Sequence, residues 1–147
     1  MRDRGWILAQ FIVAGVLLVL SLIGVIGLLA FDAAELTFSF QGAIQAFAIF
    51  PGTAVSLIVN ALIMRSHREA GLSTAEKVLL GIEFAFIAVL MALHFWPEGL
   101  GVAILVWPFH IVLAIVVLIV ALVRAASLKN ATADPYAPPV LQQPPAG

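Results

Sequence analysis

The chain has 147 residues, 63% of them apolar and 10% charged, with a formal net charge of −1. That composition belongs in a bilayer, and the near-neutral balance offers nothing to nucleic acid or to a strongly charged partner. With no cysteine, disulfides, thiolate metal sites, iron–sulfur clusters, CxxC redox chemistry and cysteine nucleophiles are excluded together.

A membrane-spanning helix needs about 20 mostly apolar residues, and four runs qualify, roughly residues 6–31, 42–64, 78–96 and 101–123. The predicted fold is all-α: an integral membrane four-helix bundle of two hairpins over residues 1–124, followed by a proline-rich tail over 125–147. The first run follows Arg2 and Arg4 and superficially resembles a secretory signal. It exceeds twenty residues and no clean A-x-A site closes it, so it reads as a retained helix. Gln10, Ala14, Ser21 and Gly24 form its small or polar stripe.

The second run carries a similar stripe at helical spacing, Gln45, Ala48, Gly52, Ser56 and Asn60, suited to close helix packing. Pro51 interrupts it and frees the carbonyl of Phe47, which gives a hinge or, as the preferred reading, a static kink satisfied by a neighbour such as Thr53 or Ser56. The loop that follows, "RSHREAGLSTAEK", has clear punctuation. Gly71 ends the helical extension, and Ser73 with Glu76 forms an S-x-x-E capping box for the third helix.

The third run contains Glu83 among Leu, Ile, Val, Ala and Phe. Counted from Val78, its Cα lies about 7–8 Å inside the boundary, and Asn60 on the second helix lies about 6 Å inside the same boundary. The two are a natural pair. Glu83 shares a face with Ile87, Leu90 and His94. Three roles compete: an uncharged glutamate hydrogen-bonded to Asn60, an assembly contact with a partner subunit, or a proton- or cation-handling group in a transport path. The fourth run adds Pro108, a second candidate kink or hinge, and an inward stripe of His110, Ala114 and Ala121. His94 and His110 invite comparison with axial haem ligands, but reflection through the turn at Glu98 separates them by about 10 Å in depth. The expected cofactor set is therefore none.

Charge placement gives the orientation. Arg2, Arg4, Arg65, Arg68, Lys77, Arg124 and Lys129 all fall on one side, while the opposite loops carry only Asp32, Glu35 and Glu98. By the positive-inside rule both termini and the middle loop are cytoplasmic. Phe38, Phe40, Phe95, Trp96, Trp107 and Phe109 gather near the far boundary, and Trp6 near the cytoplasmic one, as interfacial anchors. Phe50–Pro51 and Trp107–Pro108 give the two hairpins a limited internal echo. In the tail, prolines at 135, 138, 139, 144 and 145 favour an extended chain in which "PYAP", around Pro135 and Tyr136, is either a partner-docking core or simply solvated.

No triad, H-E-x-x-H, paired-carboxylate or glycine-rich phosphate motif appears in the sequence, and the loops are short. The expectation is a non-enzymatic accessory or assembly subunit of a larger membrane complex in a bacterial plasma (inner) membrane. Arg65, Arg68, Lys77, Pro135 and Tyr136 are its cytoplasmic contacts. The alternative is a small oligomeric transporter or channel using Glu83, with Asn60, His94 and His110 as further intramembrane polar candidates.

Overall fold

A computed structural model describes residues 3–30, 42–96 and 99–133. These form four helices: α1 (Arg4–Ala30), α2 (Gly42–Ser66), α3 (Thr74–His94) and α4 (Gly99–Ala133). All four are long and apolar enough to cross a membrane. Asp32, Glu35, Phe38, Phe40, Glu98, Pro135 and Tyr136 lie outside the described residues.

All four helices exceed their expected bounds, α1 and α2 by two residues at one end and the other two by more. α3 starts at Thr74, four residues before Val78, because its capping box sets the first turn. α4 continues to Ala133, so residues 125–133 of the expected extended tail are helical. Apolarity ends near Val123, but "AASLKNATA" contains neither proline nor glycine and nothing in it opposes a helix already under way.

α1 packs along α2, α2 along α4, and α4 along α3. Trp6 of α1 stacks on Phe84 of α3, with ring centroids 6.2 Å apart and planes 11° from parallel, and closes the ring of helices. Trp6 is thus a packing residue rather than a free anchor. The core divides in two. One cluster, nearer the chain's N-terminus, joins Ile7, Ala61, Met64, Leu72, Leu80, Val117 and Ala121. The other joins Ala14, Leu17, Ile49, Phe50, Ala54, Leu57 and Ile87.

Pro51 acts differently from either sequence expectation. Residues Gln45–Ile49 form a π-helical turn, and the amide of Phe50 donates to the carbonyl of Gln45, five residues back. In that register the next acceptor is Ala46 rather than Phe47, and its natural donor would be the N–H that Pro51 lacks. Ser21 of α1 supplies the missing donor: its hydroxyl bonds the Ala46 carbonyl. The hydroxyl of Ser56 instead donates to Thr53 O at 2.9 Å, and Thr53 Oγ1 has no partner. The kink is therefore satisfied from across the helix interface. The close approach is made possible by Gly24, where a Cβ would stand 3.0 Å from that of Ala46.

The extra residue in the π turn also rotates the buried face of α2. Gln45, Ile49, Thr53, Leu57, Asn60 and Met64 are buried, whereas Gly52 is exposed and Ser56 half-buried. The expected stripe through Ala48, Gly52 and Ser56 is corrected accordingly. Those of α1 and α4 hold, with Gln10, Ala14, Ser21, His110, Ala114 and Ala121 all buried. Pro108 lies within a continuous α4.

Candidate functional site

Two polar clusters stand out, one at the helix ends nearest the N-terminus and one at mid-bundle. The first is built on the 67–73 loop. Gly71 adopts φ +75°, a backbone conformation that disfavours a side chain, and a Cβ there would lie 3.0 Å from Asp3 Oδ2. The turn exposes the amide of Leu72, which donates to Asp3 Oδ2 at 2.9 Å. Asp3 Oδ1 pairs with Lys77 Nζ at 2.9 Å. The chain's first turn is thereby tied to the loop and to α3.

Glu76 is the centre of this lock and is fully buried. The expected capping box forms: Glu76 N donates to Ser73 Oγ at 3.2 Å, and Ser73 N donates to Glu76 Oε2 at 2.6 Å. Its other oxygen, Oε1, lies 2.8 Å from His67 Nε2. Arg124 of α4 completes the set, with Nε 3.4 Å from Glu76 Oε2 and Nη2 donating to Gly71 O at 3.4 Å. Arg65, Arg68 and Glu69 are exposed on the same surface. Lys77, expected as a partner contact, is committed to Asp3.

Asp3, His67 and Arg124 meet around Glu76 and the 67–73 loop although they are far apart in the sequence. The one signal in the sequence is an acidic residue, Glu76, at an end rich in basic residues, but no spacing rule joins positions 3, 67, 76 and 124. Helix packing assembles them.

The second cluster contains the intramembrane candidates. Glu83 is fully buried, and neither of its oxygens has a hydrogen-bond partner. Its nearest charged or chargeable neighbour is His110 of α4, with Nε2 3.9 Å from Oε1, beyond hydrogen-bond range. The expected Glu83–Asn60 hydrogen bond is absent, and Asn60 Nδ2 is likewise unpartnered. Asn60 turns towards α4, where it lines a groove with His110. His94 is elsewhere, edge-on to Phe50 with centroids 5.1 Å apart, whereas His110 faces Phe86 at 6.4 Å.

That groove, of about 330 Å³, runs between α2 and α4 and opens on the bundle's outer surface past the exposed Val55 and Ile115. Four polar side chains on its lining carry a buried atom with no partner: Thr53 Oγ1, Asn60 Nδ2, Trp107 Nε1 and His110 Nε2. Trp107 is therefore a groove residue, while Phe95, Trp96 and Phe109 are exposed as anchors would be. The sequence named Asn60 and His110 but not the groove, because Thr53 and Trp107 reach it only through the pairing of α2 with α4.

Compared with known proteins, the chain matches no family model, no curated protein and no solved structure.

Proposed function

We propose that this chain is a multi-pass plasma-membrane protein, with both termini and the 67–73 loop cytoplasmic, serving as a non-enzymatic accessory or assembly subunit of a larger membrane complex. The observation that carries the reading is the Glu76 lock. It ties the first turn, the middle loop, α3 and α4 together and leaves Arg65, Arg68 and Glu69 exposed on a fixed surface. A surface ordered before contact loses less entropy on binding, which is what a docking subunit needs. The apolar outer faces of the helices meet lipid or a partner's helices, and "PYAP" in the tail offers a second contact. The excess of basic residues at the lock end supports the orientation, and Arg and Ala used over Lys support a bacterial source.

The test is gentle extraction of the tagged protein from its native membrane, native mass spectrometry and identification of what travels with it. Stoichiometric co-purification with a larger assembly, lost on Arg68→Glu with Arg65→Glu, is the expected result. A lone monomer in mild detergent counts against the proposal.

A second reading, an oligomeric transporter or channel, is favoured by one observation, the buried Glu83 and His110 side chains 3.9 Å apart. Apolar layers flank them: Leu80 and Val117 on one side, Ile87 and Leu57 on the other. Conduction would then follow a path between subunits. Unchanged transport by Glu83→Gln in reconstituted vesicles would remove this reading.

A further inference from the structure

We propose that the outer seam between α1 and α2, at the lock end, binds one anionic phospholipid, with its phosphate on Arg4 and Arg65 and an acyl chain laid along the seam. The two arginines reach one place from distant parts of the chain. α1 packs along α2, and Ile7 shares a core cluster with Ala61 and Met64, so the first turn of α1 stands beside the last turn of α2. Arg4 opens α1, Arg65 is the last residue but one of α2, and both are exposed. Their side of the bundle follows from rotation about the helix axes, about 100° per residue. Trp6 of α1 stacks on Phe84 of α3, and Arg4, two residues earlier, points about 160° away from it. On α2, Ser56 faces α4, and Arg65, nine residues later, lies about 180° from it. In a ring of helices ordered α1, α2, α4, α3, away from α3 and away from α4 are the same outer face.

Charge selects the ligand. The carboxylates of the lock are already committed, Asp3 to Leu72 and Lys77, Glu76 to His67, Ser73 and Arg124. No ion pair among the described residues involves Arg4 or Arg65, and the exposed Glu69 pairs with neither. Two guanidinium groups are thus left over at the end of the apolar spans, the level at which a bilayer places its phosphates. Packed helices lie about 8–10 Å apart, so the two long side chains can close on one phosphate. Each offers a planar fork of donors matched to phosphate oxygens. A headgroup with no cation of its own leaves both forks to the phosphate, whereas the choline of a zwitterionic lipid competes with them.

Beyond the arginines the seam is apolar and has a floor. Arg4 shares a helix face with Phe11, Gly15 and Leu18, and Arg65 shares one with Leu62 and Ile58. Phe11 and Ile58 are half-buried against the two core clusters, while Leu18 and Leu62 are exposed flanks. At Gly15 a Cβ would meet nothing within 4 Å, so the missing side chain leaves room on the seam. Gly15 lies about 16 Å of helix rise from Arg4, close to the half-thickness of the hydrocarbon core, about 15 Å. One leaflet's acyl chain, hanging from a phosphate on the arginines, covers that stretch. The proposal requires only that the helices span a bilayer. Arg65 also belongs to the docking surface proposed above, but the test contains no partner protein, so the two readings fail separately.

The experiment is native mass spectrometry of the purified full chain in mild detergent, titrated with an equal mixture of palmitoyl-oleoyl phosphatidylglycerol and the phosphatidylcholine of the same acyl chains. A basic residue at an anionic membrane surface strengthens attachment about fivefold and two about thirtyfold. The expected result is therefore one phosphatidylglycerol bound in about that excess over phosphatidylcholine. Arg4→Gln and Arg65→Gln each lower the preference about fivefold and together abolish it, whereas Arg68→Gln leaves it unchanged. Arg4→Lys and Arg65→Lys, which keep the charge but lose the fork, give an intermediate preference and keep the test valid if a Gln variant fails to fold. Gly15→Leu, which fills the seam and keeps both charges, weakens phosphatidylglycerol binding. Equal binding of the two lipids overturns the proposal, as does a preference that survives the double Gln substitution or that Arg68→Gln lowers as much as Arg65→Gln. Unchanged affinity in Gly15→Leu overturns the seam as the place of the chain. Displacement by water-soluble glycerophosphoglycerol overturns it in favour of a free-phosphate site.

Discussion

Replacing Glu76 by alanine removes the buried carboxylate at the centre of the contacts among the loop, α3 and α4. Loss of the N-terminal cap interaction costs about 1 kcal/mol. The short contact with His67, at 2.8 Å between two buried groups, is a charge-assisted or strong neutral hydrogen bond worth about 1.5–3 kcal/mol, and its loss leaves His67 Nε2 buried without a partner. Arg124, a third exposed, contributes less than about 1 kcal/mol because solvent screens it. Together these give a destabilisation of about 3–5 kcal/mol, the range found when one partner of a buried pair is removed. Glu76→Gln keeps an acceptor for Ser73 N but loses the charge, and is expected to cost about 1–2 kcal/mol.

Equilibrium unfolding in mixed micelles measures both values. Hydrogen exchange locates the effect, with amides of residues 70–77 losing protection before those in the middle of α3. A double-mutant cycle with His67→Ala should return a coupling of about 1.5–3 kcal/mol. If Glu76→Ala stays within about 1 kcal/mol of the parent protein and the loop amides keep their protection, the lock is not what orders this surface, and the docking proposal loses its support.

Four further outcomes follow from the same geometry. Gly71→Ala is expected to cost about 1–2 kcal/mol for the left-handed backbone, with an added loss as its methyl displaces Asp3; unfolding equilibria and Leu72 amide exchange report both. Ser21→Ala leaves the Ala46 carbonyl without a donor and should cost about 1–3 kcal/mol, a cost that shrinks in a Pro51→Ala background because the restored N–H at 51 can take its place. Glu83→Leu should raise stability by about 1–3 kcal/mol, since it removes a buried carboxyl with no hydrogen-bond partner; a loss of stability would mean that the contact with His110 is net favourable. Gly99→Ala should disrupt the α3–α4 connection, because its Cβ would collide with the Leu93 carbonyl, and a weakened α3–α4 contact would show as raised exchange in α4's first two turns.

The four helices were legible because each is an apolar run longer than a span requires, and the capping box was legible because its residues are local. Glu83 was legible as an anomaly, but its neighbour was not. Counting residues separated His110 from His94 in depth; the same count from Glu98 puts Glu83 fifteen residues away and His110 twelve, a difference of about 4.5 Å that side chains can bridge. Depth alone left Asn60 equally eligible. Rotation about the helix axis decided between them, and on α2 the rotation depends on the π turn, which hydrophobic spacing does not reveal. Pro51 signalled a disturbance there, but the identity of the orphaned carbonyl and its rescue by Ser21 depend on how α1 meets α2.

The unpartnered polar atoms are unevenly distributed. At the lock end, Asp3, Glu76 and Lys77 have direct partners, and among the described residues there only His67 Nδ1 and Arg124 Nε are buried without a hydrogen bond. Along the α2/α4 interface Thr53, Asn60, Trp107 and His110 leave four polar atoms buried and unpaired, each a cost that an apolar residue of similar size would avoid. Two explanations have opposite consequences. If they serve function, a variant carrying Thr53→Val and Asn60→Leu gains stability as a purified protein and loses function in the membrane, the usual opposition between a stable site and a working one. If the same variant gains stability and keeps its function, Thr53 and Asn60 are passengers, and the intramembrane function lies with Glu83 and His110.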